Sequence, residues 1–169
     1  MSIKKMTTLA MFTVIALTIF VIESAIPLPV PIPGIKLGLA NIITLIVLLN
    51  YGPVEALLVL MCRIFLGTMF TGQAMSLLYS LCGGILCLIA MILVNRLLNG
   101  HFVFLTSMFG ALIHNIGQLA VAYFITATAG VFAYLPFLIL SGVLTGLFTG
   151  LCAHYTQKYL IPHMKKQTD

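Results

Sequence analysis

The chain has 169 residues, of which 62% are hydrophobic and 7% charged, and its mean hydropathy is +1.20. A water-facing domain carries about 25% charged residues, so the composition excludes a soluble globular protein and turns the surface toward lipid. Eight Lys and Arg against three Asp and Glu give a net charge of +5. The bases flank apolar runs instead of gathering on one face, which argues against nucleic acid as a partner and for membrane orientation.

A span needs about 20 apolar residues. The sequence therefore predicts one all-α integral membrane domain over residues 1–169, a bundle of six transmembrane helices. The expected spans are 6–26, 35–50, 53–70, 74–98, 102–129 and 134–160. Lys4, Lys5, Arg96, Lys158, Lys165 and Lys166 fall on one side, and the opposite loops hold no Lys or Arg. Both termini are expected in the cytoplasm.

The first run follows Lys4 and Lys5 as a signal peptide would, but it is long enough to span and no A-x-A site follows, so it reads as the first membrane helix. It ends at Glu23 and the alternate prolines Pro27, Pro29, Pro31 and Pro33. Prolines at every second position fix φ and favour extended backbone. That suggests a stiff lid across the bundle mouth, with a plain connector as the alternative. Gly34 then turns the chain into the second span, which carries Lys36 at its outer start and Asn41 about two turns deeper, and stops at Gly52-Pro53.

Arg63 falls near the middle of the third span, where a charge costs roughly 2.5–3.5 kcal/mol on insertion scales. It needs a partner or water. Gln73, Ser76, Tyr79 and Ser80 occupy the outer part of the fourth span, ahead of Gly83 and Gly84. In the fifth, His114 and Gln118 share one helical face and Asn115 lies one step round. Two readings stand for the charges: a buried Arg63–Glu23 ion pair that fixes packing, or a polar cavity open to the outside. The second predicts that Glu23, Lys36, Asn41, Arg63, Gln73, Tyr79, His114, Asn115 and Gln118 bind a ligand. Lys36 and Arg63 would supply positive charge for an anionic or electron-rich molecule.

The sixth span repeats small residues at Gly142, Gly146 and Gly150. Such spacing lets backbones approach closely, against another span of the chain or a partner subunit. Cys62, Cys82, Cys87 and Cys152 lie inside apolar runs and read as small buried residues. No second His or Cys stands at ligand spacing from His114, so no metal is expected. The sequence has no G-x-x-x-x-G-K-[ST] and its acids are far apart, which removes nucleotide binding and magnesium-dependent carboxylate chemistry. The chain reads as non-enzymatic, without a cofactor.

The stretches "ESAIPLPVPIPGIKLGLANIITL", "RIFLGT", "LLYSLCGGIL", "GALIHNIGQLAVA" and "YLPFLILSGVLTGLFTG" together resemble the Gx transporter family, also described as heptaprenyl diphosphate synthase component I. That family is similar to the substrate-binding S components of energy-coupling factor (ECF) transporters. The resemblance implies an S-component-like six-helix bundle in the plasma membrane of a Gram-positive bacterium, working with a transmembrane T protein and two ATPases. It would capture a small vitamin-like, aromatic or isoprenoid/quinone-precursor ligand from outside. The alternative is a non-transporting scaffold or accessory subunit for quinone or prenyl-lipid biosynthesis or extracellular electron transfer. S components present an Ala-x-x-x-Ala face on the first span; here Val14 follows Ala10 and Phe20 follows Ala16, which leaves the glycine face of the sixth span as a candidate docking surface.

Overall fold

The computed structural model describes residues 3–26 and 35–160. In a bilayer every backbone N–H and C=O must be satisfied within the protein, which favours helices, and the regular structure among the described residues is all helical, with no strand. The helices are α1 (Ile3–Ser24), α2 (Asn41–Tyr51), α3 (Pro53–Thr71), α4 (Ala74–Leu97), α5 (Val103–Thr126) and α6 (Leu135–Tyr155). A 3-10 turn, Ala129–Tyr134, leads into α6, and a π-helical turn, Thr156–Leu160, follows it. Five of these segments are long and apolar enough to cross a membrane; α2 is not. The chain is a multi-pass membrane protein. The expected proline lid, residues 27–34, lies outside the described residues.

The second segment departs from the expected continuous helix over 35–50. Residues 35–38 carry no regular structure and 39–40 form a turn, so α2 begins only at Asn41. Its 11 residues reach about 16 Å at ~1.5 Å per residue, roughly half a hydrocarbon core. Gly38 is the local reason. Its φ of +83° is a conformation that a helix cannot contain. Non-helical backbone at membrane depth survives only where protein covers it, and Ile35, Lys36 and Ala40 are buried.

Short as it is, α2 is the hub: it touches each of the other five helices, and Ile43 to Leu48 are buried without interruption. α1 lies along α3 and turns Leu9, Phe12, Ala16, Phe20 and Glu23 inward at steps of three and four. At the starts of these two helices Lys5 Nζ meets Glu55 Oε1 at 2.5 Å, so α1 and α3 begin at the same end of the bundle. α4, α5 and α6 pack in sequence, α5 between the other two. The outward faces are apolar as well; Met69, Leu97 and Phe124 are each four-fifths exposed, as lipid-facing side chains are.

With apolar lipid outside, helix association rests on close packing and polar contacts. Glycine supplies the first. A Cβ on Gly146 would stand 2.6 Å from Met108 Cα, and one on Gly150 2.7 Å from Phe104 Cα, while Gly142 faces Asn115 and Leu112. The small-residue face of α6 is thus filled by α5 of the same chain. It is not open to a partner, which corrects the docking role considered for it. Ser107 and Thr149 add a hydroxyl pair at 2.7 Å across the same seam.

Candidate functional site

The break before α2 sets the site. Gly38 and Ala40 both turn their N–H groups to the carboxylate of Glu23, Gly38 to Oε1 and Ala40 to Oε2 at 3.4 Å. Backbone that an intact helix would have satisfied thus finds its acceptor on α1. Two residues earlier, the Lys36 N–H donates to Gln118 Oε1 at 3.1 Å. Lys36 Nζ donates to Ser24 Oγ at 2.6 Å and lies 3.2 Å from the centre of the Phe20 ring. Buried cation–π contacts of this kind contribute about 2 kcal/mol. The segment 35–40 is thereby strapped to α1 on one side and α5 on the other.

Behind it stands the guanidinium. Arg63, 3% exposed, donates from Nη2 to Asn41 Oδ1 at 2.5 Å. It forms no ion pair with Glu23: among the described residues the ion pair is Lys5–Glu55 at the opposite end. Arg63 and Glu23 nonetheless line the same small cavity. Arg63 Nε and Asn41 Nδ2 have no hydrogen-bond partner. Leaving such groups unmet in the interior costs about 1–3 kcal/mol each.

On α5, the Gln118 side chain joins the backbone of Lys36 to His114. Because its Oε1 accepts from Lys36, its Nε2 donates to His114 Nε2 at 2.7 Å. His114 therefore receives at Nε2 and carries its proton on Nδ1, which faces α4 at Gly83. Glycine is required there: a Cβ would stand 2.9 Å from Nδ1 and 2.9 Å from the His114 carbonyl oxygen.

Six of the nine sequence-predicted ligand residues converge: Glu23, Lys36, Asn41, Arg63, His114 and Gln118. Three do not. Gln73 is exposed at the start of α4, ahead of the helix turn that would have carried it inward. Tyr79 packs in an apolar cluster with Ile35, Leu119 and Leu138. Asn115 donates from Nδ2 to the Leu138 carbonyl oxygen at 2.7 Å and so ties α5 to α6. One step round from His114 amounts to about 100° of helix, enough to aim it at the next seam. Residues missed in the sequence are Phe20, Ser24 and Gly38, while Ser80, noted among the polar groups of the fourth span, joins the cavity wall. Gly38 carried a signal, a glycine between Lys36 and Asn41 in an expected helix.

The expected open hollow is not preformed. Phe20, Glu23, Lys36, Gly38, Arg63, Ser80 and His114 enclose a cavity of about 10 Å³, room for one water. The polar groups fill the space with each other.

Neither a curated protein nor a solved structure matches the chain. A family model matches residues 12–156, most of the chain's length and all of the residues in the cluster. The chain belongs to the family described as heptaprenyl diphosphate synthase component I.

Proposed function

We propose that this chain is the ligand-binding membrane subunit of an ECF-type importer, with six spans, both termini in the cytoplasm, and a site that opens toward the outside of the plasma membrane. One observation carries the reading: two cations, one acid, two amides and a histidine are buried together around a break in the central helix. A purely structural interior would gain by replacing such groups with apolar ones, since desolvation outweighs most of what buried ion clusters return. Ionisable groups inside a membrane mark ligand or ion paths more often than packing devices.

The described form is the closed one. A vitamin-sized molecule enters when residues 35–40 leave their place: Lys36 releases Phe20, Ser24 and Gln118, and Gly38 and Ala40 release Glu23. Lys36, Asn41, Arg63, His114 and Gln118 then face the ligand. The subunit performs no chemistry itself; energy for release to the cytoplasm comes from ATPases docked through a T protein.

The filled interior and the family's description favour a second reading, an accessory subunit that scaffolds prenyl-lipid or quinone synthesis without uptake. Capture of the tagged chain from mildly solubilised membranes separates the two. Import requires co-purification of a T protein and two ATPases. Recovery of a prenyl synthase subunit in their place would support the scaffold and defeat the importer.

A further inference from the structure

Charge and hydrogen-bonding capacity at this cavity are both out of balance, and in the same direction. Lys36 and Arg63 bring two formal positive charges and Glu23 one negative, and Glu23 is the one acid at the cavity wall. The surplus is one positive charge. The Glu23 carboxylate is already engaged by the N–H groups of Gly38 and Ala40. Arg63 Nε, Asn41 Nδ2 and the His114 Nδ1–H are left over, and all three can only donate; the first two lie at the guanidinium and Gly38, the third at Gly83. Arg63 lines the cavity, and Asn41 Nδ2 lies against Gly38, another wall residue, 2.8 Å from where its Cβ would stand. A water in that space can accept from these donors but brings no charge, so what remains unmet is a single negative charge.

We infer that the ligand presents a monoanionic carboxylate to Arg63 Nε and Asn41 Nδ2, one oxygen to each, and that a diphosphate is not the group recognised here. This rests on the receptor reading above and narrows it. A carboxylate bridging two donors neutralises the cluster without further rearrangement of charge. A diphosphate, with two or three negative charges, would leave at least one buried and uncompensated, a cost of several kcal/mol per ion. Among the described residues no three His, Cys, Asp or Glu side chains gather to hold a divalent ion that could offset it.

The test uses formate, the smallest carboxylate; it is larger than the one water the closed cavity has room for, so it enters with the displacement of residues 35–40. Thermal unfolding of the full chain in detergent is followed with sodium formate, formamide or sodium pyrophosphate, ionic strength being matched with sodium chloride. Formate at several times its Kd raises Tm by roughly 2–4 °C, and formamide and pyrophosphate do not. Asn41→Asp places the missing charge on the protein itself. It raises Tm of the ligand-free chain and removes the formate response, whereas Asn41→Leu lowers Tm. The inference is overturned if formate is silent, if formamide or pyrophosphate matches it, or if Asn41→Asp lowers Tm. A neutral molecule retained by the chain despite formate's silence would end the carboxylate assignment and leave the receptor reading standing. A formate response with no co-purifying T protein or ATPases would do the reverse.

Discussion

Replacing Gly38 by alanine tests whether the break before α2 is built as described. Two costs add. Gly38 has φ +83°, and holding a side chain at positive φ costs roughly 1–2 kcal/mol. The new Cβ would also stand 2.8 Å from Asn41 Nδ2 and 2.9 Å from His114 Cδ2. Neither neighbour is free to withdraw, because Asn41 is held by Arg63 and His114 by Gln118. Overpacking of this kind costs about 1–3 kcal/mol, so the total is about 2–5 kcal/mol. Gly72 supplies the control: it has φ +66°, and an added Cβ would meet nothing within 4 Å, so Gly72→Ala carries the strain alone, roughly 1–2 kcal/mol. Unfolding by SDS titration of mixed micelles, followed by circular dichroism, gives both values. Equal losses for the two variants would refute the close approach of Gly38 to Asn41 and His114.

Glu23→Gln removes the one acid facing Lys36 and Arg63 and should cost about 3–5 kcal/mol in the same assay. Lys36→Met leaves Glu23 and Arg63 in one-to-one balance and should cost less; the reverse order would contradict the charge count. Gly146→Leu, which drives a side chain into the Met108 backbone, should separate α5 from α6 and lower Tm sharply, while Leu144→Ala on the exposed face of α6 should leave Tm nearly unchanged. In a background with the native cysteines replaced, Ala129→Cys should react with an impermeant maleimide in intact cells and Asn99→Cys only after lysis. Labelling of both would contradict the proposed orientation.

The sequence carried the long elements well because hydropathy and chain punctuation act locally. Pro53 opens α3, and Gly72 in left-handed conformation closes it. The gathering of Glu23, Lys36, Arg63 and His114 could be anticipated because each is costly in lipid and finds its least costly place beside the others. What local reasoning missed is tertiary. Residues 35–40 have an apolar composition that suits a helix, and only the acceptors on α1 and α5, Glu23 and Gln118, make their broken backbone tolerable. The aim of Asn115 differs from that of His114 by a single helical step, so its bond to the Leu138 carbonyl depends on where α6 packs. The glycine face of α6 announced close contact, and only the chain's path identified α5 as the occupant. Nor does composition distinguish a hollow from side chains that have closed on one another.

Native mass spectrometry of the gently extracted wild-type chain and of Arg63→Gln addresses the central claim most directly. The expected result is a wild-type population heavier by one small molecule, lost in Arg63→Gln while that variant remains folded. A bare wild-type mass, or the same adduct retained by both proteins, would contradict it.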